Sequence, residues 1–313
     1  MTAFAIIGAG AIGGYYGSRL AAAGHDVYFL FRSDAEYVRE HGLVVKSPDG
    51  DLHLTEINSH EDWHEIPPVD VVIVSVKATA NDDVAGRVAA ILKPGGTVLL
   101  IQNGVNAEGA FAAALPDDAT VVGATAFISA ERTDRNVVEH FANGQITIGE
   151  YAPDYGVAGI TARLEQLSQE FIAAGIPVQV EADLLAARWG KLLWNIPFNA
   201  LCVVLQATTT ELISNSETLA LVKTMMNETI GIAAADGKVI PVEFVEMLLE
   251  GTRQMDPYSP SMKVDFDAGR QLELEALLGA PLRRAETNGA AAPTISAVYR
   301  QLRFIDERIA NSN

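Results

Sequence analysis

The run AFAIIGAGAIGGYYGSRLAAAG constrains this chain more than any other stretch. An apolar segment of buried-strand length meets Gly8, Gly10 and Gly13 in G-x-G-x-x-G spacing, and a helical pattern follows that stops at Gly24. A second run rich in β-formers, HDVYFLFR, comes next, so residues 1–31 predict a strand–helix–strand unit. In that context each glycine has its own task. Gly8 permits a tight turn, Gly10 lets a diphosphate approach the backbone, and Gly13 lets the helix pack closely on the strand. Gly8, Gly10, Ala11, Ile12 and Gly13 are the expected dinucleotide-binding backbone, with the helix N-terminus stabilising the diphosphate charge.

The end of the second strand bears on which dinucleotide is bound. An NAD site places Asp or Glu there to bond the ribose hydroxyls. This chain has Arg32 followed by Ser33, a guanidinium and a hydroxyl suited to a 2′-phosphate, and no carboxylate is expected beside them. NADPH/NADP is the expected cofactor. Lys77, which closes the apolar run VVIVSVK, is a second residue for the adenosine-phosphate side.

Further along, VVKSPDGDLHL predicts a hairpin about Asp49-Gly50, and VDVVIVSVK and GTVLLIQNG predict buried strands joined by a helix ending near KPGG. ATVVGATAFIS is another strand, and NVVEHFANGQITIGEY predicts a hairpin about Asn143-Gly144. A helix over about 157–174 and the strand IPVQVE complete an α/β unit. After Glu181 the pattern is helical to the end. The expected class is α/β: a Rossmann-type dinucleotide-binding domain over residues 1–182 and an all-helical substrate and catalytic domain over 183–313, with the cleft between them as the expected site.

Composition narrows the partners. Forty acidic against 22 basic residues give a formal charge of −18, which disfavours nucleic acid and anionic membrane. No apolar run reaches the roughly 18 residues that span a bilayer, and the start lacks the basic segment of a signal peptide. Cys202 is the sole cysteine, so no internal disulfide or cysteine metal cluster can form, as suits the reducing cytoplasm. HEDWH places His60, Glu61 and His64 in zinc-protease spacing, but the segment is a short, proline-bounded loop, and no metal site is expected. The apolar helical domain is long enough to bury a homodimer interface, although no stretch locates one.

A dinucleotide-dependent oxidoreductase needs a proton donor for the carbonyl oxygen. All six histidines (25, 41, 53, 60, 64 and 140) precede the domain boundary, leaving Lys191, Lys223, Lys238 and Lys263 in the helical region. In RWGKLLWNIPFNA, Lys191, Asn195 and Asn199 recur every four residues and share one helix face. Apolar neighbours should desolvate the ammonium and lower its pKa. Pro197 predicts a kink beside that face. Lys223 and Asn227 repeat the spacing deeper in the helical region and are the rival pair.

GAGAIG, VKA from Lys77, QNGV with Asn103, RWGKLLWN, SMKVDFDAGRQLELEALLG and GAAAPT occur in the order of the ketopantoate reductase family, which the chain resembles over essentially its whole length. The resemblance implies NADPH-dependent reduction of a small 2-oxo acid, foremost 2-dehydropantoate to pantoate. It implies that Lys191 is the catalytic lysine protonating the nascent alkoxide and that Glu273 is the glutamate engaging substrate. It also implies that Asn103 lies near nicotinamide and substrate, Ser261 contacts the substrate carboxylate, and Asn195 and Asn199 line the pocket. Ser259-Pro260 predicts a helix N-cap with proline at the first position, placing Ser261 in the first turn. Glu273 would lie roughly 18 Å further along one unbroken helix, so both can serve one small substrate only if the helix breaks at Gly269-Arg270. The chain departs from the family pattern at Leu272, Leu278, Thr209 and Tyr258, positions that bear on which oxo acid is bound. A related β-hydroxyacid dehydrogenase, or an NADPH-binding sensor without turnover, are the alternatives at this stage.

Overall fold

The computed structural model describes residues 1–255 and 259–311. The chain forms two compact units, Met1–Gln102 with Ala107–Ala187, and Asn103–Asn106 with Arg188–Asn313. The boundary at 187/188 falls inside a helix.

The first unit is built on one ten-stranded sheet. Its strands are β1 (Ala3–Ile7), β2 (Asp26–Leu30), β3 (Leu43–Lys46), β4 (Leu52–Leu54), β5 (Asn58–His60), β6 (Val69–Val74), β7 (Leu92–Ile101), β8 (Thr120–Asp134), β9 (Val137–Glu150) and β10 (Val178–Glu181). They lie in the order β4-β3-β9-β8-β7-β6-β1-β2-β5, with β10 parallel to β9. Around β1 the pairing is parallel on both sides, with β2 and with β6, which makes a topological switch point at β1/β6. The helices are α1 (Ala11–Ala22), α2 (Ala35–His41), α3 (Asn81–Ile91), α4 (Glu108–Ala114) and α5 (Ala162–Ala173).

Strand alternation divides the core in two. Phe4, Ile6, Phe29 and Ile73 pack with Tyr16 and Leu20 of α1 and Leu164 and Phe171 of α5. Ala5, Ile7, Val72 and Val74 pack with Val84, Val88 and Ile91 of α3 and Phe111 of α4. The parallel strands are apolar on successive residues because both faces are covered.

Several elements differ from the sequence expectation. Asn143-Gly144 is not a hairpin turn: β9 runs through it, and the β8–β9 turn lies between Asp134 and Val137. Both residues have positive φ, 68° and 116°, and the register slips by one there, so the pair forms a bulge inside a long strand. The 15 residues of β8 hold β9 along its length and override the local turn signal. β5 went unforeseen, and the predicted helix over 157–174 begins later, at Ala162, where the Thr161 side chain accepts from Leu164 N.

The second unit is helical among its described residues. It comprises most of α6 (Leu184–Leu205), α7 (Thr209–Ser214), α8 (Ser216–Ala235), α9 (Glu243–Arg253), α10 (Ser261–Asp267), α11 (Ala280–Thr287) and α12 (Pro293–Ala310), with a π-helical stretch at Glu275–Gly279 leading into α11. α6 runs on as one helix through Pro197. Pro260, not Ser259, is the N-cap of α10, and Ser261 is its first residue. The expected break is present: Gly269 has φ +65°, Gly269 N donates to Phe266 O, and Arg270 N donates to Asp265 O. Among the described residues no helix is long and apolar enough to cross a membrane.

Candidate active site

The glycine turn of the first unit has the stereochemistry its spacing requires. Gly8 has φ +94°, a conformation glycine adopts without strain. A Cβ on Gly13 would lie 2.4 Å from Gly8 O and 2.8 Å from Ile6 Cγ2, so the helix sits as close to β1 as a residue without a side chain permits. A Cβ on Gly10 would meet nothing within 4 Å. Gly10 is the N-cap of α1, with no side-chain cap and no acidic residue in the first turn. An open approach to uncapped backbone N–H groups fits a diphosphate. Ser75, which follows β6, ties down the turn by donating from Oγ to Gly8 O at 2.9 Å, a contact no sequence signal announces.

Arg32 is exposed just past the end of β2. The sequence expectation of no nearby carboxylate needs correction, because Asp34 is the N-cap of α2 with φ +78°. Its carboxylate is engaged by Arg135 Nε at 2.8 Å and Arg132 Nη2 at 3.2 Å, both from the β8–β9 hairpin. The Arg135 hydrogen bond, with both guanidiniums close by, holds the Asp34 carboxyl below the usual carboxylate range. Lys77 is exposed and does not close a strand, since β6 ends at Val74 and Lys77 caps the short 3-10 turn Ala78–Ala80.

In the second unit, α6 presents Lys191, Asn195 and Asn199 on successive turns. The helix is fixed by Trp189, whose indole donates to Asp236 Oδ2 at 2.9 Å, and by Trp194, which donates to Thr252 Oγ1 at 3.0 Å, stacks on Phe198 and has the Lys191 ammonium 5.9 Å above its ring. Lys191 is half-buried, and desolvation brings its ammonium down from 10.5 to about 8. Asn195 is only 4% exposed and donates from Nδ2 to Asn103 Oδ1 at 3.1 Å. With that oxygen accepting, the amide nitrogen is the donor end that Asn103 can offer a ligand.

Asn199 is bonded within the helical unit. Its amide donates to Asn195 O at 3.1 Å, and its Oδ1 accepts from Met262 N at 3.0 Å and Ser261 Oγ at 3.4 Å. It is thereby a clasp between α6 and the start of α10, and it orients Ser261. Glu273 is half-buried beyond the Gly269 break, its carbonyl accepting from Leu277 N as the next helical stretch begins. The rival Lys223 is a surface residue paired with Glu246 at 2.6 Å.

The loop Asn103–Asn106 packs with this helical unit. Gly104 has φ +89°, and a Cβ there would lie 2.2 Å from Ala276 O, so the loop backbone rests on the π-helical stretch. Arg284 donates to Asp236 from Nε at 2.5 Å and Nη2 at 2.9 Å, and from Nη1 to Asn106 Oδ1 at 2.6 Å. No spacing in the sequence announces this network, whose members lie 48 and 178 positions apart.

Two other sequence readings meet the structure here. His60 ends β5 while His64 lies in a 3-10 turn, so HEDWH never forms the single helix that zinc ligation at that spacing needs. Leu272, Leu278 and Thr209 are 2%, 0% and 0% exposed, whereas Tyr258 lies outside the described residues.

The sequence model described as ketopantoate reductase PanE/ApbA matches residues 4–153, and that of its C-terminal domain matches 183–306. The 2-dehydropantoate 2-reductase of Nostoc sp. is 43% identical over 305 residues, covering 97% of this chain and 95% of the relative. Among solved structures, 2-dehydropantoate 2-reductase from Geobacter metallireducens GS-15 superposes with a TM-score of 0.90 at 35% identity, covering 98% of this chain and 99% of the other. The Methylococcus capsulatus enzyme of the same name gives 0.89 at 32% identity, with coverage of 98% and 97%.

Proposed function

Because the chain belongs to the ketopantoate reductase family, we propose that it reduces 2-dehydropantoate to pantoate with NADPH, using Lys191 as the proton donor. The observation that carries the reading is the Lys191–Asn195–Asn103 arrangement. A lysine whose pKa is brought to about 8 by burial sits one turn from an asparagine that orients a second amide.

When bound, NADPH supplies the hydride that adds to the carbonyl carbon. Gly8, Gly10, Ala11, Ile12 and Gly13 would hold its diphosphate, and Arg32 its 2′-phosphate, with Lys77 on the same side. Asp34 does not oppose that phosphate, because its charge is met by Arg132 and Arg135.

Lys191 donates a proton from its ammonium to the carbonyl oxygen as negative charge develops there, a contribution typically of about 10²–10⁴ in rate. Asn103 presents its amide nitrogen to the substrate, Ser261 turns its hydroxyl proton from Asn199 Oδ1 to the incoming carboxylate, and Glu273 accepts from the substrate hydroxyl. Asn195 serves by holding Asn103, and Asn199 by fixing the start of α10 through Met262 N.

The test is loss of reduced-nicotinamide absorbance with 2-dehydropantoate and a panel of other 2-oxo acids, beside Lys191→Ala. Turnover of 2-dehydropantoate above the others, lost in the variant with NADPH binding intact, is the expected result. Preference for another acid would overturn the substrate assignment, and an active Lys191→Ala would overturn the proton donor.

A further inference from the structure

Asp236 follows α8 directly, at the helix end where the backbone dipole disfavours an anion. Its side chain is 7% exposed. A carboxylate so placed persists only if its oxygens are fully bonded. Four donors do this: Trp189 Nε1 at 2.9 Å, Arg284 Nε at 2.5 Å, Arg284 Nη2 at 2.9 Å and Asn288 Nδ2 at 3.0 Å. The fork locks the guanidinium plane, and the remaining nitrogen, Nη1, donates to Asn106. Two routes leave this hub. One runs through Trp189 to the turn of α6 that carries Lys191, and the other through Asn106 to the loop that carries Asn103.

Replacing a buried ion pair with apolar groups is often neutral for stability, so stability alone is a weak reason for one here. Val105, 5% exposed, already anchors the loop by burial, but burial is non-directional and does not set the loop's rotation. The polar contacts do. Asn103 is held by Asn195, Gly104 rests on Ala276, and Asn106, in the left-handed region at φ +74°, is held by Arg284.

We infer that the Asp236–Arg284 pair is a positioning hub for the reaction, fixing the Asn103 amide and the Lys191 turn to one rigid point. Neither residue is assigned contact with substrate. The inference rests on the functional reading above, and Asn106→Gly tests it with little disturbance. Glycine accepts φ +74° freely, so the substitution removes the side-chain contact and keeps the backbone. The expected result is an unchanged unfolding midpoint and unchanged NADPH binding, with kcat lowered about ten-fold. In an Asn103→Ala background the same change has no further effect, because coupled residues are not additive. An unchanged kcat, or an equal fall in both backgrounds, overturns the hub.

Amide hydrogen exchange on the cofactor-free protein gives a readout independent of turnover. Asn106→Gly and Arg284→Met should speed exchange at residues 103–106 while the core of α8 keeps its protection. Exchange at the wild-type rate in both variants overturns the proposal. Wild-type protein that turns over no 2-oxo acid overturns the functional reading, and the exchange result still decides on the hub.

Discussion

Asn195 donates its side-chain amide to Asn103 Oδ1 at 3.1 Å, joining residues 92 positions apart in the chain. Each amide orients the other, so the pair acts as one group. Asn195→Ala should lower kcat roughly ten-fold, the equivalent of one hydrogen bond of about 1.4 kcal/mol. Asn195→Asp should do more harm, because a carboxylate then faces the acceptor oxygen of Asn103. Steady-state kinetics on both variants, with NADPH affinity as the control, checks this.

Lys191 predicts the pH response. Reduction needs the protonated ammonium, so kcat should fall as pH rises through about 8, and oxidation of the hydroxy acid should rise over the same limb. Stability moves in step. Between about 8 and 10.5 the unfolded chain keeps a proton that the folded chain has released, so folding stability should increase with pH across that window. Lys191→Met should flatten both profiles, measured by pH–rate curves and by denaturant unfolding.

Two neighbouring glycines should fail in different ways. Gly13→Ala forces a methyl to within 2.4 Å of Gly8 O and should destabilise the protein by about 1–3 kcal/mol. Gly10→Ala meets nothing in the protein, so the unfolding midpoint should hold while NADPH affinity drops at least ten-fold. Thermal denaturation beside cofactor titration separates the two.

Cofactor choice should turn on charge after β2. Arg32→Asp should weaken NADPH and favour NADH, moving the ratio of kcat/KM values by ten- to a hundred-fold. Arg135→Ala should weaken NADPH less, by releasing the Asp34 carboxylate that Arg135 and Arg132 jointly neutralise. Parallel kinetics with the two reduced nicotinamides gives the ratio.

What the sequence reveals is whatever lies within one element. The glycine turn, the parallel strands and the Lys191 stripe depend on spacings a single strand or helix preserves, and the Gly269 break follows once the family resemblance asks Ser261 and Glu273 to serve one substrate across a span too long for an unbroken helix. Asn143-Gly144 misleads because the same two left-handed residues suit a hairpin or a bulge, and only the pairing of β8 along β9 chooses. Asn199 shares a face with Lys191, yet the donors to its Oδ1 come from α10, more than sixty residues on. Asp236 is least legible of all. An acidic residue before Gly237 reads as a solvated helix end until Arg284, 48 positions later, is brought against it.

The loop Asn103–Asn106 belongs by packing to the helical unit but is encoded between β7 and α4. Heredity cannot therefore treat the helical unit as a cassette. A single crossover at 187/188 between two relatives would graft a new helical unit onto an old loop, leaving Asn195, Ala276 and Arg284 to meet a segment that never co-adapted with them. Recombinants that carry residues 103–106 along with 188–313 should keep activity where simple two-piece chimeras lose it.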